Sequence, residues 1–156
     1  MKSYWLFKSE PDAFSLSDLK NESRGVAFWD GVRNYQARNF LRDSVSVGDG
    51  VLFYHSRIKE PAVVGLAEVV KAGYPDPTQF DVDAEYFDPK SDPEKPRWYG
   101  VEIRYAEEFE RAVTLKEIKE MPSLSTMALV NRSRLSIQPV LPEAWTIICG
   151  LGGSSA

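Results

Sequence analysis

The sequence reads Val51-Leu-Phe-Tyr-His55 and then, after a short basic connection, Ala62-Val-Val-Gly-Leu-Ala-Glu-Val-Val70. Both runs are rich in β-branched and aromatic residues, and a turn signal, Val47-Gly48-Asp49-Gly50, precedes the first. They predict two strands of a hairpin. Because the runs are nearly continuous in apolar residues, we expect both faces of each strand to be covered, as in a small closed barrel.

Further strands and helices are predicted on either side of this hairpin. Ser15 followed by Asp18 indicates the N-cap of a short helix over residues 15–20, and apolar residues recur at helical spacing beside arginines over 34–42. The other predicted elements are strands over 4–8, 98–105 and 134–140, helices over 114–121 and 123–130, and a last helix between Pro142 and Gly150. No internal repeat is present in this order.

Length and composition limit the class of protein. The 156 residues are 43% hydrophobic, which fits one globular domain with its own core. We place this domain at residues 1–149 and expect the Gly/Ser-rich residues 150–156 to be a flexible tail. The N-terminal apolar stretch is too short for a signal peptide and no stretch could span a membrane, so we expect a cytoplasmic protein with no membrane partner.

The negative charge of the chain is local. The formal net charge is −4, so overall charge does not favour binding to nucleic-acid phosphates. Residues 75–96 contain five of the ten prolines, seven acidic residues and two lysines, a net charge of −5. This segment is longer than most connections without secondary structure, and we interpret it as a partly ordered surface excursion, with a mobile lid as the alternative.

Motifs of nucleotide-driven or nucleophilic chemistry are absent from the sequence. It contains no Walker loop, no Gly-x-Gly-x-x-Gly after a strand and no Gly-x-Ser-x-Gly elbow. The lone Cys149 excludes an internal disulfide and a cysteine-based zinc site, and His55 is the one histidine. We therefore predict no metal and no cofactor, and a binding module rather than an enzyme.

Basic and aromatic residues are interleaved in residues 24–59. This range holds six Arg or Lys against three Asp, a net charge of +3, together with Phe28, Trp29, Tyr35, Phe40, Phe53 and Tyr54. Rings hold bases by stacking and guanidinium groups hold phosphates, so the mixture is typical of a nucleic-acid surface. The ordinary alternative is a core of aromatic residues with arginines on a solvated helix.

Several polar side chains are predicted at or just beyond the ends of elements, where loops bring side chains into clefts: Ser9, Asp30, Asn34, His55 and Ser56. Recognition of a base taken out of its stack needs such groups next to an aromatic wall. They are therefore candidates for reading the edge of a base.

Five blocks of the sequence resemble signature blocks of the EVE domain family: Tyr4-Trp-Leu-Phe-Lys-Ser-Glu-Pro11, Trp29-Asp-Gly-Val-Arg-Asn-Tyr-Gln-Ala-Arg-Asn39, Val51-Leu-Phe-Tyr-His-Ser56, Val63-Val-Gly-Leu-Ala-Glu-Val69 and Arg134-Leu-Ser-Ile-Gln-Pro-Val140. The resemblance covers nearly the whole chain. It implies an α+β, PUA-like fold, a small mixed β-barrel flanked by short helices. It also implies a non-enzymatic module that takes a modified base of DNA or RNA, such as a methylated or hydroxymethylated cytosine, into an aromatic cage.

The resemblance further implies roles for individual residues. Trp29 is similar to the tryptophan that forms one wall of the cage, with plain core as its alternative. The other ligand-binding residues implied are Lys8 and Ser9 at the floor, Asp30, Asn34 and Tyr35 towards the mouth, and Tyr54, His55 and Ser56 on the opposite side. Flanking phosphates would meet Arg33, Arg38 and Arg57. We expect His55 to be neutral and to donate one hydrogen bond.

Other questions stay open at the level of sequence. The alternative function is an enzyme or sensor that acts on a small heteroaromatic metabolite in the same pocket. We expect a monomer, with a nuclease or restriction enzyme as a candidate partner.

Overall fold

The computed structural model describes residues 2–132 and 134–156, so Met1 and Ser133 of the predicted domain lie outside the described residues. Its strands are β1 (Tyr4–Ser9), β2 (Val26–Phe28), β3 (Gly50–His55), β4 (Ala62–Pro75), β5 (Tyr99–Thr114) and β6 (Ile137–Val140). Its α-helices are α1 (Leu16–Asn21), α2 (Tyr35–Asp43), α3 (Leu115–Lys119), α4 (Ala128–Asn131) and α5 (Pro142–Leu151). None of the described helices has the length and apolar character of a membrane span.

One mixed sheet holds the six strands in the order β2-β5-β4-β3-β1-β6. The β1–β3 pair is parallel, with Tyr4 opposite Gly50 and Ser9 opposite His55, and the other pairs are antiparallel. Parallel neighbours end at the same edge of a sheet. The carboxyl ends of β1 and β3 therefore lie side by side, which brings two of the predicted site segments together.

The sheet is open, so the prediction of a closed barrel is wrong, whereas a mixed sheet with short helices is confirmed. β2 and β6 stand at its two ends and, within the described residues, do not pair with each other. The apolar run of β3 has another cause. Val51 and Phe53 belong to one buried cluster and Leu52 and Tyr54 to a second, because successive side chains point to opposite faces. Coverage of both faces does not require closure.

Local capping signals set the ends of the first two helices. The Ser15 hydroxyl accepts a hydrogen bond from the Asp18 N–H, and the Asp18 carboxylate accepts one from the Ser15 N–H, which confirms the predicted start of α1. Asn34 is the N-cap of α2, because its Oδ1 accepts from the Ala37 N–H at 3.0 Å.

The last helix runs past its predicted end at Gly150. α5 continues through Gly150 to Leu151, so a tail that begins at residue 150 would start inside this helix. Beyond it, the Gly152 carbonyl accepts from the Glu110 N–H at 2.9 Å and the Ser154 hydroxyl donates to Glu107. Contacts with β5 therefore extend at least to Ser154.

Candidate functional site

A cleft of about 1320 Å³ opens beside the ends of β1 and β3. The predicted site residues that line it are Lys8, Ser9, Trp29, Asp30, Arg33, Tyr54, Ser56 and Arg57. The rest of the wall includes the whole run of residues 26–33 and Arg134 and Ser136 from the segment before β6. Segments that are far apart in the sequence thus meet around one hollow.

Trp29 is both a wall of this cleft and part of the core. Its side chain is 8% exposed, and its ring lies 5.3 Å from that of Phe7, 5.5 Å from that of Phe53 and 6.3 Å from that of Phe14. The contacts with Phe53 and Phe14 are edge-on, a favourable geometry for aromatic pairs. The two interpretations of Trp29 from the sequence, cage wall and plain core, are therefore not exclusive.

The floor of the cleft combines polar and aromatic groups. The Ser9 hydroxyl donates to the Phe14 carbonyl at 2.5 Å, which leaves its oxygen as an acceptor. Tyr54 is 2% exposed, and its burial raises the pKa of the phenol to about 12, so it stays neutral. The Lys8 ammonium lies 5.9 Å from the Tyr54 ring, and partial burial lowers the pKa of Lys8.

The charges around the cleft balance. Four basic and four acidic residues line it: Lys8, Arg33, Arg57 and Arg134, and Glu10, Glu22, Asp30 and Glu85. Desolvation, followed by the negative charge of Asp76, raises the pKa of Asp30. Arg57 is exposed at the rim, 3.6 Å from Glu10, in a left-handed backbone conformation. The cleft therefore has little net attraction for phosphates at long range.

Arg33 lines the cleft but holds the protein together rather than offering a free guanidinium. Its Nη1 donates to the Val32 carbonyl and to Asp76, and its Nη2 donates to Thr78 and to the Tyr86 carbonyl. These four bonds use all the hydrogens of its terminal nitrogens. In the structure Arg33 thus anchors the segment between β4 and β5, and its contact with a phosphate stays a prediction.

That anchored segment is the proline-rich excursion of the sequence. Asp76 and Gln79 are both 0% exposed, and the Gln79 amide donates to the carbonyls of Asp76 and Trp98. The buried network places Tyr86 at the cleft, where its ring packs against Gly31. A Cβ at Gly31 would lie 2.5 Å from that ring, and the φ of +74° also favours glycine here.

Four predicted site residues are not among those lining the cleft: Asn34, Tyr35, Arg38 and His55. Asn34 caps α2 instead of standing at the mouth. Tyr35 is 51% exposed, and its ring stacks on that of Trp98 at 4.8 Å. Arg38 lies over Tyr35 and donates to the Arg97 carbonyl. The basic side of α2 thus forms a stacked surface beside the cleft.

His55 caps α1. Its Nε2 accepts from the Leu16 N–H at 3.1 Å, so it accepts a hydrogen bond at this atom, whereas the sequence predicts a donor. Burial lowers the pKa of His55 below the ordinary 6.5, and the nearby Asp18 carboxylate opposes this change. The neutral imidazole that the contact needs is thereby favoured.

The free energy of unfolding should depend on pH through the hydrogen bond between His55 and the Leu16 N–H. The pKa of His55 is lowered in the folded state, so the stability that the neutral imidazole contributes is fully present above pH 6.5. This stability is lost as the pH falls from 6.5 to the pKa of His55 in the folded protein. Urea unfolding of the parent and of His55→Gln between pH 8 and 5 should show a steeper loss for the parent. An imidazole NMR titration midpoint at or above 6.5 would contradict this assignment.

The cleft residues that the sequence signals did not assign to the site include Phe14, Tyr86 and Arg134. Arg134 opens a block already singled out by resemblance, and Phe14 follows the first strand closely, so both were within reach of motif reasoning. Tyr86 lies in the acidic excursion, where the sequence gives no sign of its position. In the described residues, no group of three or more His, Cys, Asp or Glu side chains could hold a metal ion.

Comparison with known proteins places this geometry in a family. Residues 3–151 match the EVE domain. The chain is 40% identical to thymocyte nuclear protein 1 of Mus musculus over 168 residues, covering 97% of this chain and 74% of the mouse protein.

Two solved structures superpose closely on this chain. A protein of Leishmania major matches it with a TM-score of 0.93 and 46% identity, covering 98% of this chain and 96% of that one. Human THYN1 protein, crystallised in complex with DNA containing 5-methylcytosine, matches it with a TM-score of 0.93 and 38% identity, covering 99% of this chain and 100% of that one. Family match, relatives and fold agree over nearly the whole length, and the chain belongs to the EVE domain family.

Proposed function

We propose that this chain is a non-enzymatic module that binds nucleic acid and holds one modified base in the cleft beside Trp29. The observation that carries the proposal is the convergence of Trp29, Phe14, Tyr54 and Tyr86 around one hollow that also contains the Ser9 hydroxyl. Aromatic walls with a few fixed polar atoms suit a flat heterocycle taken out of its stack. The likeness to human THYN1 makes 5-methylcytosine in DNA the first candidate.

The chemistry of the cleft predicts selective but weak binding. A base stacked on an aromatic ring gains about 1–3 kcal/mol. One added methyl group in an apolar pocket contributes about 1–3 kcal/mol of discrimination. The balanced charges around the cleft contribute little to general affinity. Selectivity therefore depends on the fit of the base rather than on attraction to the backbone.

A panel of fluorescent single-stranded oligonucleotides tests the proposal. The DNA strands carry cytosine, 5-methylcytosine or 5-hydroxymethylcytosine at one position. The RNA strands carry cytosine or 5-methylcytosine, or adenine or N6-methyladenine, at the same position. At least one modified strand should bind about 5- to 100-fold more tightly than its unmodified match. Equal affinity across every modified and unmodified pair would refute the proposal.

The balance of charges also suits a neutral heteroaromatic metabolite, the rival ligand class. Salt distinguishes the two, because binding to phosphates weakens steeply as salt rises, whereas binding of a neutral small molecule changes little. The panel is therefore repeated at two salt concentrations, with the free 5-methylcytosine nucleoside as the matched ligand. Oligonucleotide affinity that equals nucleoside affinity and does not respond to salt would favour the rival.

A further inference from the structure

The edge of β2 forms part of the cleft. β2 ends the sheet and pairs only with β5 among the described strands. Residues 26–33 line the cleft without a gap. Successive side chains of a strand point to opposite faces of the sheet. Consecutive residues of β2 can therefore line the same cleft only if the cleft runs along the main-chain edge of the strand. The cleft therefore has access to main-chain groups, not only to side chains.

The register identifies these groups. The Trp29 N–H donates to the Val101 carbonyl at 2.7 Å, and Ala27 lies opposite Ile103 and Phe28 opposite Glu102. In an antiparallel pair, hydrogen-bonded and non-hydrogen-bonded positions alternate. Phe28 is consequently at a non-hydrogen-bonded position, and its N–H and C=O point away from β5, towards the cleft side of the strand.

The side chain of Phe28 fixes this orientation. The Phe28 ring lies 4.7 Å from the Tyr74 ring. It also packs against Gly100, where a Cβ would lie 2.4 Å from the Phe28 ring. These contacts hold the ring on one face of the sheet. This packing fixes the main-chain N–H and C=O of Phe28 at the edge of the sheet before any ligand binds.

We propose that the main-chain N–H and C=O of Phe28 read the Watson–Crick edge of the bound base. The N–H donates to ring nitrogen N3 of 5-methylcytosine, and the C=O accepts from its exocyclic amino group. Both groups come from one residue in extended conformation, so they point to the same side. This inference rests on the proposed function and adds the atoms that recognise the base.

The alternative occupant of a sheet edge is a peptide that adds a strand. β2 is three residues long and is bounded by the 3-10 turn at Ser23–Gly25 and by Gly31 at a φ of +74°. The Val26 N–H is already bonded to the Ser23 carbonyl. So short an edge supports few ladder bonds, whereas a base needs only an adjacent donor and acceptor.

The first test removes the ligand atoms one at a time. Single-stranded DNA carries 5-methylcytosine, 5-methylpyrimidin-2-one, which lacks the amino group, or 3-deaza-5-methylcytosine, which lacks the N3 acceptor. Each analogue should bind the parent protein about tenfold more weakly than 5-methylcytosine, the cost of one or two unpaired groups. Equal binding of all three strands would overturn the inference. The absence of a preference for any modified strand of the panel would instead refute the proposed function.

The second test removes the protein donor. Phe28→Pro deletes the outward N–H at an edge position where proline costs no ladder bond, and Phe28→Ala loses the same ring but keeps the N–H. The proline variant should bind 5-methylcytosine DNA about tenfold more weakly than the alanine variant, and the two should bind 3-deaza-5-methylcytosine DNA equally. Equal binding of 5-methylcytosine DNA by both variants would overturn the inference.

An NMR titration covers the case in which Phe28→Pro does not fold. The Phe28 amide resonance of the ¹⁵N-labelled parent should move downfield as 5-methylcytosine DNA is added, and this movement should be absent with the 3-deaza strand. An amide that is unaffected by the DNA, or that responds only to an extended peptide, would overturn the inference.

Discussion

Replacement of Trp29 by alanine should lower the free energy of unfolding by about 3–5 kcal/mol, the usual cost of emptying a buried aromatic site. Trp29 is 8% exposed and its ring packs against those of Phe7, Phe14 and Phe53, so its removal leaves a cavity that these three side chains cannot close fully. The same variant should lose the preference for a modified base. Urea unfolding monitored by far-UV circular dichroism measures the first effect.

Trp29→Phe is the matched control for the second effect. It keeps an apolar ring in the core and removes part of the stacking surface at the cleft. We expect a smaller loss of stability than for alanine, with a clear loss of affinity for the modified strand. A folded Trp29→Phe variant that binds and discriminates like the parent would remove Trp29 from the binding surface, and parent-like stability of Trp29→Ala would contradict its place in the core.

Asp76→Ala should lower the free energy of unfolding by about 3 kcal/mol, because removal of one partner from a buried ion pair leaves the other unpaired. The Asp76 carboxylate accepts from Arg33, from the Gly31 N–H and from both the N–H and hydroxyl of Thr78. Arg33 also supports Tyr86, so the cleft should lose part of its wall. Thermal unfolding and oligonucleotide affinity measure the two effects.

Asp43→Ala is the control for Asp76→Ala. Asp43 pairs with Arg42 on the exposed side of α2, where ion pairs add little to stability. It should melt close to the parent temperature and bind with parental affinity. Similar behaviour of the two variants would contradict the role of Asp76 as the anchor of residues 76–98.

Local signals in the sequence predicted much of the secondary structure. Ser15 and Asp18 fixed the start of α1, because a capping box depends on residues three apart. The apolar runs predicted β3 and the first part of β4. Asn34 directly precedes an amphipathic run, so its role as a cap was also readable from the sequence, although resemblance had suggested a role in binding.

Features that depend on distant partners were not predicted. β5 extends to Thr114 rather than to residue 105. Its second half lacks strict alternation of apolar and polar residues, and it is a strand because it pairs with β4, with several irregularities in the register. Arg33 meets Asp76, a residue 43 positions later in the chain. The position of Tyr86 follows from that contact. No local pattern encodes such pairs, since they form only when the sheet brings their elements together.

The place of β1 between β3 and β6 affects how the protein is made. A nascent chain emerges from the ribosome with its N-terminus first, so β1 and its partner β3 are both synthesised long before residues 137–140. Until then one side of β1 has no neighbour, beside the buried Leu6 and Phe7. Open strand edges next to apolar surface promote aggregation. Translational stalling before β6 should therefore make this chain dependent on chaperones.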